Sequence, residues 1–195
     1  MSDRLAAAAT GIDALVHGVE SLASLGASPL SAAYAAQAVA MVGRWLPVAH
    51  ADGSDLETRS HLMLGAHLAG QALTLSGLGL VHGIGHSLTA HTGTPHGVAL
   101  AAVLEEVMAF NAPFAGPAYE QAARALRLDP PAGGDWSRAL IAAVREISGA
   151  IGVKNRWPTG RGAAPAAVRR RGSGRRRRHA QQSPGRHRGR GAGTP

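Results

Sequence analysis

Five residues of this chain have the types and the spacing that metal chemistry requires. Asp13 and His17 lie four positions apart, which places both side chains on one face of a helix, about one turn from each other. His82 and His86 have the same spacing, and His96 follows in a Thr-Pro-His-Gly motif. The chain has no cysteine, so only imidazole nitrogens and carboxylate oxygens are available as ligands. A carboxylate and several imidazoles from three helix ends could therefore converge on one divalent cation.

The same residues also have simpler structural explanations. Asp13 follows Thr10 by three positions, which is the spacing of a capping box, and such an acid begins a helix without binding a metal. Histidines are common enough in the first 160 residues that roughly 0.4 pairs at a given separation arise by chance, so the His82/His86 pair alone is weak evidence. The neighbouring glycines do not fit the Gly-x-Gly-x-x-Gly pattern of dinucleotide binding. Spacing alone leaves both interpretations open.

Charge divides the 195 residues into two unequal parts. Residues 1–160 carry 9 basic and all 12 acidic residues, a net charge of −3, whereas residues 161–195 carry 11 arginines and no acid, a net charge of +11. The first part is long and apolar enough to form one domain with a core, and the second lacks the apolar residues to join it. We therefore expect one globular domain followed by a solvated, disordered basic tail.

Residues 60–104 contain no Asp, Glu, Lys or Arg, which is unusual for a soluble domain. A membrane span would also lack polar residues at its centre, but six histidines lie inside this stretch. A buried core around a polar site explains the composition better. The chain has no visible secretion signal and no cysteine, so we expect a cytoplasmic protein that does not contact a membrane.

The elements that must position these residues are predicted to be helices throughout. Apolar residues recur at helical spacing over the first 150 residues, and no segment shows the alternation typical of a strand. Thr10 is predicted to begin the first helix, which weakens at Gly26. Ser28 and Pro29 fit the N-cap and first position of a second helix, which Pro47 is predicted to end. The expected fold class is an all-α helical bundle.

The remaining helices follow from similar signals. Ser54 and Glu57 have the spacing of a capping box after an Asp-Gly turn, and the helix they begin is expected to end near Gly77 or Gly79. Further helices are predicted over residues 80–91, from Pro95 through Met108, and over residues 117–127 and 136–151.

Five stretches of the chain, taken together, carry a family resemblance. They are Thr10-Gly-Ile-Asp13-Ala-Leu-Val-His17-Gly-Val-Glu20, Ser28-Pro29-Leu-Ser, Ala51-Asp-Gly-Ser-Asp-Leu-Glu57, Gly77-Leu-Gly-Leu-Val-His82-Gly-Ile-Gly-His86 and Thr94-Pro-His96-Gly. In this order they resemble the C-terminal helical domain of the iron-containing (group III) alcohol dehydrogenases. The resemblance covers about residues 1–155. It implies the dehydroquinate synthase-like C-terminal α-domain as the fold.

The resemblance also implies roles for the five residues. Asp13, His17, His82 and His96 match the family's metal ligands, and His86 matches the histidine beside the substrate that is proposed to transfer a proton. The implied cofactors are Fe²⁺, or Zn²⁺, and NAD(P), and the implied substrate is a small alcohol or aldehyde. The family commonly continues His-Pro-Leu-Gly at the second histidine, whereas this chain has His-Ser-Leu-Thr, a difference that concerns substrate fit more than metal binding.

Two features of the family are missing from these 195 residues. Family members begin with a nucleotide-binding α/β domain, so no nucleotide-binding residue can be assigned here, and they continue with further helices where this chain becomes rich in Arg, Gly, Ala and Pro. We therefore interpret residues 1–155 as the metal-binding catalytic domain and residues 156–195 as a tail. Because such a tail is typical of a GC-rich coding sequence read in a shifted frame, we expect a fragment truncated at both ends. Such a fragment should have little or no activity alone.

Two other functions are compatible with parts of the sequence. Glycerol dehydrogenases share the helical domain, but the Asp13/His17 pair together with His82 and His96 favours the iron-containing branch. The arginines of the tail could bind nucleic acid without sequence preference, although no aromatic residue lies between them for base stacking. A homo-oligomer is compatible with either function.

Overall fold

Six α-helices form nearly all of the computed structural model, which describes residues 3–153. No strand occurs within residues 3–153, so the predicted all-α class is confirmed. The predicted tail, residues 156–195, lies outside the described range. The helices are α1 (Asp3–Ala23), α2 (Pro29–Ala51), α3 (Leu56–Ser76), α4 (Leu80–Thr92), α5 (His96–Ala125) and α6 (Trp136–Ala150), with a short 3₁₀ helix (Ala132–Gly134) before α6.

Helix α1 is central to the bundle, because it contacts α2, α3 and α5. Its apolar face is fully buried, with Ile12, Leu15 and Val16 at 0% exposure. Burying an aliphatic side chain of this size contributes roughly 1.5–3 kcal/mol. The packing therefore fixes the rotation of α1 and the direction in which its polar side chains point.

Glycines let α5 approach α1, and α4 approach α5, closely. Helix α3 ends at Gly77 with φ of 78°, and the chain bends by 104° between α3 and α4. At the start of α5, a Cβ added to Gly97 would overlap the backbone carbonyl of Ala9 in α1. A Cβ added to Gly85 of α4 would overlap the Leu100 side chain of α5. These contacts bring the start of α5 against α1 and the histidine-bearing helix α4 against α5.

Two predicted helix starts are wrong, and two other predictions are confirmed. Thr10 lies inside α1, where its hydroxyl donates to the Ala6 carbonyl at 3.0 Å, because the alanine-rich segment before it already favours a helix. Helix α3 is capped by Asp55 instead of Ser54, and the Asp55 carboxylate accepts from the backbone N–H groups of Glu57 and Thr58. The Ser28 N-cap and the end of α3 before Gly77 agree with the predictions.

Prolines end fewer helices than the sequence predicts. Helix α2 continues through Pro47 to Ala51, and α5 runs through Pro113 and Pro117 as one helix where two were predicted. A proline inside a helix loses one backbone hydrogen bond and clashes with the preceding turn. Packing compensates, since Tyr119 beyond these prolines is buried at 1% exposure and α5 packs along α6.

Helix α5 is long and apolar enough to cross a membrane, and the bent α3–α4 pair meets the same test together. Within the described residues, however, α5 contacts α1, α2, α4 and α6. Leu100 and Leu104 are completely buried by these contacts. The core of the bundle thus accounts for the apolar residues in the first half of α5, whereas Phe110 and Phe114 are exposed.

Candidate metal centre

One face of α1 presents three polar side chains toward α4 and α5. Asp13, His17 and Glu20 follow at spacings of four and three residues, so their side chains line up along the helix. The His17 Nε2 lies 3.3 Å from the Asp13 Oδ1. Because Asp13 is in the middle of α1 and Thr10 bonds within the helix, Asp13 is not a capping acid.

The other two predicted ligands reach the same carboxylate oxygen. The Asp13 Oδ1 lies 3.3 Å from the His82 Nε2 of α4 and 3.8 Å from the His96 Nε2 at the start of α5. Donor atoms of Asp13, His82 and His96 all lie within 4.8 Å of one another, and His17 joins them through Asp13. The His17 and His82 rings stack, with centroids 4.7 Å apart. The fold thus brings together four residues spread over 84 positions of sequence, from 13 to 96.

The cluster is buried on one side and open on the other. The His82 side chain is 2% exposed, whereas those of His17, Asp13 and His96 are 21%, 25% and 32% exposed. A small molecule can therefore approach the donor atoms from the side of His17 and His96. The protein interior closes the side of His82.

His86 lies beside the cluster but does not belong to the group around Asp13. It is exposed, its ring stacks on His96 with centroids 5.0 Å apart, and its centroid is 5.7 Å from that of His82. One helical turn separates it from His82 along α4. The structure therefore places His86 between the cluster and solvent.

Sequence reasoning missed Glu20. The residue is 7% exposed, and its Oε2 accepts a 2.6 Å hydrogen bond from the His82 Nδ1. The same carboxylate accepts from the backbone N–H groups of Val81 and Gly79. Glu20 ends the first of the five motifs and shares a helix face with Asp13 and His17, but neither signal identifies its partners, which are 59 to 62 residues away.

Comparison with known proteins gives this arrangement a family. Residues 7–158 match the family model described as Fe-containing alcohol dehydrogenase family, C-terminal. The chain belongs to this family. The resemblance inferred from the five motifs is confirmed, and the Fe-containing alcohol dehydrogenases are oxidoreductases that include the relatives below.

The similar proteins named here are longer than this chain. The probable alcohol dehydrogenase EutG of Escherichia coli K12 is 38% identical over 149 residues, which are 76% of this chain and 37% of that protein. The structure of a 1,3-propanediol oxidoreductase superposes with a TM-score of 0.73 at 35% identity, covering 75% of this chain and 39% of the other. Sulfoacetaldehyde reductase from Bifidobacterium kashiwanohense, in complex with NAD⁺, superposes at 0.70 with 26% identity over 80% of this chain and 40% of the other. This chain therefore spans about two fifths of the length of these Fe-containing alcohol dehydrogenases.

The charges in the cluster shift the pKa values of its members. Burial by itself raises the pKa of Asp13, but the hydrogen bond from His82 and the nearby imidazoles outweigh it and lower that pKa below 3.8. Burial lowers the pKa values of His17 and His96 below 6.5, which favours neutral imidazoles. Burial also opposes charge on His82, but hydrogen bonds to Asp13 and Glu20 raise its pKa to about 9.

These donors fit the metal that the family name implies. Two carboxylates, on Asp13 and Glu20, face the buried His82, so the cluster favours positive charge at its centre. Three Nε2 atoms point at one carboxylate oxygen, which are the nitrogen and oxygen donors that iron(II) and zinc(II) accept. The buried negative charge and the converging donors together suit a divalent cation.

Proposed function

We propose that this chain forms the metal-binding part of an NAD(P)-linked alcohol dehydrogenase, with Asp13, His17, His82 and His96 as ligands of one divalent cation. The observation that carries the proposal is the convergence of three imidazole nitrogens on the Asp13 Oδ1, at 3.3, 3.3 and 3.8 Å. The reaction is the interconversion of a small alcohol with its aldehyde or ketone. The names of the similar proteins, which include a 1,3-propanediol oxidoreductase and a sulfoacetaldehyde reductase, support this substrate class.

The cation supplies Lewis-acid chemistry when bound, because it lowers the pKa of an oxygen that it contacts. The side chains of the cluster divide the remaining work. Asp13 and the buried His82 hold the inner side of the site, and the more exposed His17 and His96 border its open side. A substrate hydroxyl must therefore enter past His17 and His96.

His86 is suited to move the proton that the alcohol loses. Its ring stacks on His96 at the open side of the cluster and is exposed to solvent. A histidine in this position can accept a proton from a hydroxyl group near the cluster and release it to water. We therefore assign His86 the role of proton relay.

The family and the donor set support a choice of cofactors and an expected cellular location. Iron(II) binds nitrogen and oxygen sites less tightly than zinc(II) by intrinsic affinity, so the supply of metal decides between them. The hydride acceptor is NAD(P), in line with the NAD⁺ complex of sulfoacetaldehyde reductase. We expect the protein in the cytoplasm, where it would act without a membrane partner and could form a homo-oligomer.

The test measures bound metal and activity in the purified 195-residue chain. The unsubstituted chain should retain Fe²⁺ or Zn²⁺ after dialysis, and His82→Ala should lose most of it, because His82 contributes the most buried donor. His67→Ala is the matched control, since His67 is an exposed histidine of α3 outside the cluster. With NAD(P) and short alcohols the chain alone should show little or no turnover. Equal metal content in the two variants would contradict the ligand set, and robust turnover would contradict the expected inactivity.

A further inference from the structure

Glu20 carries a buried negative charge, and its hydrogen bonds go to the start of α4. The residue is 7% exposed, and the fold would pay several kcal/mol for such a carboxylate if it were unpartnered. Its Oε1 accepts from the Val81 N–H at 2.6 Å, and its Oε2 contacts the Gly79 N–H at 3.3 Å and the His82 Nδ1 at 2.6 Å. One carboxylate of α1 thus fixes both the backbone and the ring of the segment that holds His82.

The backbone contacts place Glu20 at the N-terminus of α4. Gly79 is the N-cap residue of this helix and provides no side-chain hydrogen bond, so the carboxylate of another helix accepts from the free N–H groups. A negative charge at this end also interacts favourably with the helix dipole. Gly79 makes the approach possible, because a Cβ there would lie 2.6 Å from the Glu20 Oε1.

The ring contact decides which nitrogen of His82 faces the cluster. A neutral imidazole carries one N–H, and the nitrogen without it is the one that can bind a metal. Glu20 can only accept, so the proton on Nδ1 is held by its carboxylate, and Nε2, the atom 3.3 Å from the Asp13 Oδ1, is the nitrogen that can give up its proton to bind a cation. Carboxylates in this position also make the metal-binding nitrogen more basic.

We propose that Glu20 is a positioning residue of the metal centre, which orients His82 and selects the tautomer whose Nε2 binds the cation. The inference rests on the proposed metal site, because it concerns the hydrogen bond between Glu20 and His82, one of the four proposed ligands. Glu20 is not one of the four proposed ligands, so the inference gives a role to a further residue. Within the described residues Glu20 hydrogen-bonds to the His82 ring and to the backbone at the start of α4, so it acts on the site through these contacts.

Binding of Co²⁺ to the full 195-residue chain tests this role, because Co²⁺ replaces zinc and iron in nitrogen and oxygen sites and reports its surroundings by visible absorption. Glu20→Gln keeps the shape of the side chain and removes its charge. We expect a Co²⁺ affinity about 10–100-fold weaker than that of the unsubstituted chain, with altered visible bands. Glu105→Gln is the control, since it neutralises a partly buried glutamate that pairs with Arg145, and should leave the affinity unchanged.

The outcomes separate the two proposals. If the unsubstituted chain binds no Co²⁺, the proposed metal site is wrong and the role of Glu20 falls with it. If the chain binds Co²⁺ and Glu20→Gln binds it equally well with the same spectrum, the metal site stands and the role of Glu20 is wrong.

A second measurement does not depend on the folding of Glu20→Gln. The ¹⁵N-histidine NMR spectrum of the unsubstituted chain loaded with Zn²⁺ reports which imidazole nitrogen carries a proton, and His82→Asn identifies the signals of His82. We expect a protonated Nδ1 and a zinc-bound Nε2 on this ring. A zinc-bound Nδ1 would overturn the inference.

Discussion

Two carboxylates face His82 from opposite sides, and they have different tasks. Asp13 is partly exposed and shares one oxygen with three imidazoles, whereas Glu20 is buried and also accepts backbone N–H groups of α4. The spacing of Asp13 and the histidines could be read from the sequence because they occur in short motifs. Glu20 could not, because no local pattern links it to a partner 62 residues away.

Gly79→Ala should disturb the site without altering any charged or ligand residue. The added Cβ would lie 2.6 Å from the Glu20 Oε1 and 2.9 Å from its Cδ, so the carboxylate must move away from α4. We expect a loss of about 1–3 kcal/mol in the free energy of unfolding and weaker cation binding.

Gly83→Ala is the matched control for this substitution. Gly83 lies in the same helix, and nothing is within 4 Å of a Cβ added there. Alanine favours a helix over glycine by up to about 1 kcal/mol, so this variant should be as stable as the parent or more stable, with unchanged cation affinity. Chemical denaturation and Co²⁺ titration of both variants provide the comparison. Equal cation affinity in Gly79→Ala and Gly83→Ala would show that the close approach of Glu20 is unimportant for binding.

At the scale of the helices, the sequence predicts which helices form better than it predicts the residues at which they begin and end. Helix α1 begins before Thr10 because alanines need no cap signal to continue a helix, and α5 passes Pro113 and Pro117 because the residues beyond them are buried. The end of α3 could be predicted from the glycines at 77 and 79, and the structure gives Gly77 the positive φ that suits glycine. Tertiary packing, which local signals do not contain, decided the remaining ends.

Asp55 makes the stability of α3 depend on pH. The side-chain and backbone hydrogen bonds from Thr58 lower the pKa of Asp55 below 3.8. A carboxyl group whose folded pKa is lowered stabilises the fold above its unfolded pKa, and this contribution is lost as the pH falls through the lower folded value. The cap should therefore be fully effective at neutral pH and lost in strong acid.

Asp55→Ala tests this dependence. We expect the melting temperature to fall by a few degrees at neutral pH, because an N-cap contact is lost. The difference from the parent should shrink as the pH falls well below 3.8. Asp129→Ala, at an exposed aspartate after α5, is the control and should match the parent at every pH. A difference for Asp55→Ala that stays constant with pH would mean that the charge of Asp55 contributes nothing to the cap.

For the whole molecule, the described residues already contain the complete cluster. Its four proposed ligands and Glu20 come from α1, α4 and the first residue of α5, and α1 is held by α2, α3 and α5. The fold class could be predicted from helical periodicity alone. The convergence of these helices could be predicted only through the family motifs, because periodicity does not say which helix faces meet.

Deletion of residues 161–195 therefore should leave the metal centre intact and remove only the polyanion binding. The deleted segment carries 11 arginines and no acid, so the full chain should bind single-stranded DNA without sequence preference, with an affinity that falls steeply as salt increases. The shortened chain, with a net charge of −3, should lose this binding and keep its Co²⁺ affinity, because all cluster residues precede position 97. Both chains are titrated with Co²⁺, and their DNA binding is measured at two salt concentrations. The first measurement checks the metal centre and the second checks the polyanion binding. Loss of Co²⁺ binding on deletion would show that the segment contributes to the metal centre, and DNA binding that survives it would place the polyanion site on the helical domain.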